Sequence, residues 1–254
     1  MSALSGLSIL VTRPAQQATY LVSQIKSLGG EPLLFPVLEI TDVEDIRPLL
    51  SIIDRLHEFD FAIFVSPNAV DKALPLICKN APFPSHIKVA VVGKGSAQKL
   101  SSYGINEVIM PAHRFDSEAL LELEILKQVQ HSHIVIFRGN EGRKLLGETL
   151  INRGAIVEYA GCYQRTKPNT DVSSLLKCWE HGFVHAVTIT SSEGLHNLFD
   201  MVGEVGQQLL KKTPFFTAHE RIAEIANDLG LRNINLTEVG DDGLIAGLLS
   251  YFNR

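Results

Sequence analysis

The sequence predicts an α/β protein of two similar lobes, each a parallel sheet flanked by helices, arising from an internal duplication. Three observations predict it. Short β-branched runs alternate with amphipathic helical stretches from end to end. Most of those runs are nearly continuously apolar, as strands buried on both faces of a parallel sheet are. Landmarks of the first half return in the second, 125 or 126 positions later.

The strand-like runs are Leu7–Val11, Phe61–Val65, Lys88–Val92, Glu107–Ile109, His133–Phe137, His185–Ile189, Pro214–Thr217 and Asn233–Leu236. Between them, Ile46, Leu49, Leu50 and Ile53 mark one helical face, and Ile222, Ile225, Ala226 and Leu229 another, stopped by Gly230. Ile9-Leu-Val-Thr-Arg13, a helix and Gly30 are echoed by Val135-Ile-Phe-Arg138, a helix and Gly154; the arginines lie 125 positions apart. Ala62-Ile-Phe-Val-Ser66 matches Val187-Thr-Ile-Thr-Ser191 at the same offset, and Ala97 with Gly104 matches Ala223 with Gly230 at 126. Asp116-Ser-Glu-Ala-Leu120 pairs with Asp242-Gly-Leu-Ile-Ala246, also at 126. A repeat of half the chain is a duplicated domain, since solenoid periods are shorter.

The 254 residues are 45% hydrophobic and 20% charged, which excludes collagen-like, coiled-coil and disordered chains. A formal net charge of −5 argues against a nucleic-acid partner. No apolar run reaches the length of a membrane span, and Met1 to Leu10 lacks the charged start and long apolar core of a signal peptide. Cys78, Cys162 and Cys178, odd in number and far apart, fit free thiols in a reducing cytoplasm.

Two α/β lobes imply a cleft, with ligands beyond the carboxyl ends of the strands where helix N-termini point. The candidates there are Thr12, Arg13, Ser66, Asn68, Gly93, Lys94, Gly95, Ser96, Arg138, Gly139, Thr190, Ser191, His219 and Arg221. Thr12-Arg-Pro14 reads either as a plain helix start or as a start carrying Arg13 to hold an anion; the echo Arg138-Gly139, with Arg143 one turn on, favours the anion, because capping needs no arginine. Gly93-Lys-Gly-Ser-Ala97 lacks the third spaced glycine of a dinucleotide turn and the ending of a phosphate loop, so a nest of backbone N–H groups for another anion is expected. Its echo, Ala218-His-Glu-Arg221, has no glycine, so the lobes are not equivalent sites. Ser66 and Ser191 stand outside any G-x-S-x-G elbow, which argues against an esterase. No histidine spacing suits a metal. Tyr163 reads equally as an aromatic packed at a hinge strand or as a phenol at the cleft mouth, able to donate a proton.

With these pieces in order, the chain resembles the uroporphyrinogen-III synthase family. The resemblance rests on Val11-Thr-Arg-Pro14, Val65-Ser-Pro-Asn-Ala-Val70, Val92-Gly-Lys-Gly-Ser-Ala97 and Arg138-Gly-Asn-Glu-Gly-Arg143. Leu150 with Gly154, Tyr163-Gln-Arg165, Thr190-Ser191, and His219-Glu-Arg-Ile-Ala223 with Gly230 complete it. It covers essentially the whole chain, and the ordered set carries it rather than any one motif. It implies flavodoxin-like lobes that have exchanged their first strand–helix–strand pieces. Lobe one is then expected at 1–37 plus 167–254 and lobe two at 38–166, joined by two extended linkers near 35–41 and 159–167.

The resemblance further implies a cyclising lyase of haem and porphyrin biosynthesis. Its substrate is the linear tetrapyrrole hydroxymethylbilane, closed with loss of water and inversion of ring D, without cofactor or metal. It implies Tyr163 as the group assisting departure of the ring-A hydroxyl. Where many members carry a Gly-Pro-Thr-Thr-Ala type turn, this chain has His219-Glu-Arg-Ile-Ala223, with Ile222 replacing a threonine donor. A cytoplasmic monomer is expected, with transient contact to hydroxymethylbilane synthase as its one protein partner. Two rivals share the twin lobes: a hinged small-molecule binding protein without catalysis, and a nucleotide-sugar glycosyltransferase, for which no carboxylate base or sugar-nucleotide motif is evident.

Overall fold

The computed structural model describes residues 3–79, 81–140, 142 and 144–253. In chain order the elements begin β1 (Ser8–Val11), α1 (Ala15–Ser27), β2 (Glu31–Leu34), β3 (Glu39–Thr41), α2 (Arg47–Asp54), β4 (Phe61–Phe64), α3 (Pro67–Ile77), β5 (Lys88–Val91) and α4 (Lys94–Ser102). They continue with β6 (Val108–Ile109), α5 (Ser117–Leu121), α6 (Glu124–Lys127), β7 (His133–Gly139), α7 (Leu145–Asn152), β8 (Ile156–Thr166), α8 (Ser173–Glu180) and β9 (Ala186–Thr188). The last are α9 (Ser192–Met201), α10 (Gly203–Leu210), β10 (Phe215–Thr217), α11 (Glu220–Asp228), β11 (Ile234–Leu236) and α12 (Asp241–Phe252).

The chain divides into two compact units, residues 1–39 with 166–254 and residues 40–165. The first unit has a five-stranded sheet in the order β11-β10-β9-β1-β2, and the second a six-stranded sheet in the order β3-β8-β7-β4-β5-β6. The duplication is visible in those orders. Matching β1 with β7 and β9 with β4, as the 125-residue offset requires, makes β2-β1-β9-β10-β11 the counterpart of β8-β7-β4-β5-β6. Each is the 2-1-3-4-5 arrangement of a doubly wound fold. The second unit reaches it in permuted chain order, with the two strands of its first βαβ piece coming last.

The strands that read as buried are buried, and their alternation sorts them onto two faces. In the first unit Ile9, Val11, Ala186 and Phe216 pack with Leu21 and Ile25 of α1 and Leu244 and Leu248 of α12. Leu10, Val187 and Phe215 pack on the other side with Trp179, Leu195, Leu210 and Ile222, from α8, α9, α10 and α11. In the second unit Ala62, Phe64, Val91 and Phe137 face α2 to α4. Phe61, Ile63, Ala90 and Ile136 face α5 to α7. Both sheets are covered on both faces, as continuous apolar strands require.

Two sequence expectations are corrected in detail, and one pair of repeat landmarks differs locally. The left-handed glycine ending α1 is Gly29 (φ 80°) rather than Gly30; it lies 125 positions before its counterpart Gly154 (φ 85°), matching the arginine offset. The buried stripe of α2 is Leu49 and Ile52, continued by Leu56, while Ile46 and Leu50 are exposed. Asp116 caps α5 through Ala119 N–H, but the helix paired with it, α12, is capped by Gly240 (φ 95°), so Asp242 lies inside the first turn and is not a cap.

Candidate functional site

The carboxyl edge of the second sheet is shaped by one irregularity. β7 and β8 pair in parallel from His133 with Ile156 to Arg138 with Gly161, after which Gly139 pairs with Tyr163. Cys162 is the extra residue of a β-bulge, which lets Cys162 and Tyr163 both enter the core containing Phe64 and Phe137. The Tyr163 ring then crosses Gly139 so closely that a Cβ there would stand 2.7 Å from Cε2. The backbone is tied at the same point: Asn140 N–H donates to the Tyr163 carbonyl at 2.9 Å, and the Arg165 N–H donates to Asn140 Oδ1 at 3.1 Å.

Tyr163 is 2% exposed, so it is a wall of its pocket rather than a residue at an open mouth. Its hydroxyl lies 3.0 Å from Ser66 Oγ. Ser66 is the N-cap of α3, accepting from Ala69 N–H at 3.2 Å. These two residues, with Arg138, Gly139, Arg165 and Ser117, line a pocket of about 160 Å3. Among the described residues no aspartate or glutamate lines it. The Arg138 guanidinium lies over the Tyr159 ring at 5.2 Å and has no carboxylate partner among the described residues. Gly142, at φ 154°, leaves room for that guanidinium, since a Cβ would fall 2.6 Å from it. Arg143 lies outside the described residues. Burial pushes the Cys162 thiol up to about 12, leaving it a protonated core group.

At the corresponding edge of the first unit the repeated arginine has another role. Arg13 forms an ion pair with Asp241 of α12, and its Nε donates to Thr190 Oγ1 at 3.1 Å. Arg13, Thr190 and His219 line a pocket of about 400 Å3. Thr12 is buried, its hydroxyl donating to the Thr188 carbonyl at 2.8 Å, so this threonine ties two strands together. Ser191 caps α9 by accepting from Gly194 N–H at 2.9 Å. Arg221 is exposed on the first turn of α11, while Ile222 points into the core.

The Gly93–Ser96 turn is not a nest. Gly93 (φ −156°) is the N-cap of α4 in extended conformation, and neither Gly93 nor Gly95 is left-handed. Close approach explains Gly95, because a Cβ there would lie 3.1 Å from the Pro67 ring. Lys94 is exposed over the Phe115 ring at 5.2 Å, and Ser96 is buried. Asn68 is half-buried on the first turn of α3. Helices α1, α4, α7 and α11 start without a side-chain cap, which leaves first-turn N–H groups open to an anion. The reading of residues alone missed Arg165 and Ser117 as pocket walls; Arg165 stands two positions after Tyr163, and Ser117 directly follows the Asp116 cap. Among the described residues no cluster of three His, Cys, Asp or Glu side chains could hold a metal, and no helix is long and apolar enough to cross a membrane.

A uroporphyrinogen-III synthase HemD family model matches residues 20–246. The chain belongs to the uroporphyrinogen-III synthase family. It is 31% identical over 245 residues to the uroporphyrinogen-III synthase of Escherichia coli K12, covering 95% of this chain and 100% of that one. To the Synechococcus elongatus enzyme it is 27% identical over 202 residues, 78% of this chain and 76% of that one. Solved uroporphyrinogen III synthases share its fold. A Thermus thermophilus structure superposes with a TM-score of 0.62 at 16% identity, covering 98% of each chain. The Helicobacter pylori structure gives 0.62 at 16% identity, covering 96% of this chain and 99% of that one. Within the family fold, the pocket beside Tyr163 lies at the carboxyl edge of a parallel sheet, where such folds bind ligands.

Proposed function

We propose that the chain closes hydroxymethylbilane to uroporphyrinogen III, with loss of water and inversion of ring D. The observation that carries the reading, beyond family membership, is the pocket that joins the Tyr163 phenol to Arg138, which among the described residues has no carboxylate partner and no acidic neighbour in the lining. At about 160 Å3 it suits one end of the substrate, since whole ligands occupy pockets of roughly 300 Å3 and more.

In this reading Arg138 holds a carboxylate of the ring bearing the hydroxymethyl group, which sets that group against the phenol. Tyr163 gives its proton to the hydroxyl as the C–O bond breaks; water leaves, and the ring nitrogen's electron pair stabilises the cationic azafulvene. The substituted carbon of ring D attacks it to give a spiro intermediate, which fragments and recloses inverted. The final aromatisation releases a proton that restores the phenol. The substrate carries eight carboxylates, and main-chain N–H groups at uncapped helix starts, each worth about 0.3–1 kcal/mol, hold many of them without a basic surface. This reconciles an octa-anion with a protein of net charge −5.

Unaided closure without inversion competes, so selectivity is a difference of barriers, about 1.4 kcal/mol for each tenfold. The reaction calls for no cofactor, and its place is the cytoplasm, where the three free thiols stay reduced. The test is incubation with hydroxymethylbilane and separation of the type I and type III isomers. Excess type III is expected; only type I, at the rate without protein, would leave a binding protein that does not catalyse.

A further inference from the structure

We infer that Ser66 is a positioning residue for Tyr163, orienting the phenolic proton toward the substrate rather than touching the substrate itself. The inference rests on the reading of Tyr163 as proton donor. Ser66 Oγ has one hydrogen and two lone pairs. It accepts from Ala69 N–H at 3.2 Å, and its remaining close contact is Tyr163 Oη at 3.0 Å. The 3.0 Å contact allows either hydroxyl to donate, and in the proposed arrangement the serine donates to the phenol oxygen. That arrangement sets the direction of the second proton. With one lone pair of Oη occupied by Ser66, and the ring clamped flat across Gly139, the phenolic hydrogen turns away from the serine and into the pocket. As the proton leaves for the departing hydroxyl, the same serine hydrogen remains on the phenolate oxygen and stabilises its new charge, a contact that strengthens in the transition state. When the proton returns, the original arrangement is restored.

The duplicated unit sharpens the point. Ser191 occupies the matching N-cap and accepts from Gly194 N–H at 2.9 Å, with no tyrosine partner among the described residues. Capping therefore explains a serine at both places, and the tyrosine contact belongs to Ser66 alone.

Steady-state formation of type III isomer is measured for the wild type, Ser66→Ala, Ser66→Gly, Ser66→Thr, Tyr163→Phe and the double variant Ser66→Ala with Tyr163→Phe. Glycine is a tolerated N-cap and threonine keeps both cap and hydroxyl, so the set separates loss of the donor from loss of the helix start. Ser66→Ala and Ser66→Gly are expected to lower kcat by about tenfold with KM changed by less than about twofold, as for an interaction made in the transition state. Ser66→Thr restores kcat, and the double variant is no slower than Tyr163→Phe alone. A kcat near wild type in both Ser66 variants, with Tyr163→Phe impaired, overturns the role of Ser66 while leaving Tyr163 in place. A rise in KM with kcat unchanged also overturns it, because Ser66 then binds substrate directly. Near-normal turnover of Tyr163→Phe removes the reading on which the inference rests.

Discussion

The ring of Tyr163 lies across Gly139, its paired residue on the neighbouring strand, with no room for a methyl group between them. The bulge at Cys162 creates this pairing, and the ring belongs to the core that holds Phe64 and Phe137. A side chain with little freedom is what a proton donor needs, because small misplacements of a reacting group cost large factors in rate.

Gly139→Ala therefore displaces the ring. Overpacking of this kind costs about 1–3 kcal/mol of stability. The expected result is a lowered melting temperature together with loss of most type III formation in the isomer assay. Gly161→Ala, on the adjacent strand with no described residue within 4 Å of the added methyl, is the matched control and should leave both measurements unchanged.

The duplicated arginines are expected to respond differently. Arg138 stands over Tyr159 without a carboxylate partner among the described residues, so Arg138→Ala should raise KM for hydroxymethylbilane by about tenfold, the worth of a charge-assisted hydrogen bond, with little change in melting temperature. Arg13 is held by Asp241, and both side chains are mostly covered. Arg13→Ala should lower stability by about 1–2 kcal/mol, between the values for exposed and buried pairs. Equal effects of the two variants on KM would contradict the assignment.

Cys162 gives the pH dependence of stability a specific sign. Its thiol ionises near 9 in the unfolded chain and is pushed up to about 12 in the fold. Between those values the folded form holds a proton that the unfolded form has released, so the thiol's contribution is complete below pH 9 and is lost as pH rises toward 12. Chemical unfolding of wild type and Cys162→Ala from pH 7 to pH 10.5 should show the wild type losing ground above pH 9, on the order of 1 kcal/mol per pH unit. Parallel curves would show that the thiol is not sealed in the core. The same burial predicts that Cys162 resists thiol reagents until the protein unfolds.

Much of the architecture was legible because its physics is local. Ile9-Leu-Val11 and Phe61-Ala-Ile-Phe64 are buried on both faces, and burial on both faces writes itself as an unbroken apolar run. Ser66 and Ser191 lie directly after such runs, where a helix start needs an acceptor. The edge strand β2, with its exposed ends Glu31 and Leu34, carried no such run, and neither did β8, where Glu158 and Tyr159 interrupt it. The stripe of α2 was misjudged because an eight-residue helix offers two turns of pattern, too few to separate Leu50 from Ile52.

The sequence by itself determined the duplicated parallel sheets, the strand tips and the residue types gathered there, since these follow from periodicity and from short-range caps. Tertiary structure alone decided which of those residues meet. Asp241 reaches Arg13 across 228 positions of chain, and Tyr163 reaches Ser66 across 97. Such pairings depend on strand order and on a one-residue bulge. A bulge leaves no mark in either strand read alone, because it is a mismatch between two registers and exists only once the strands are paired.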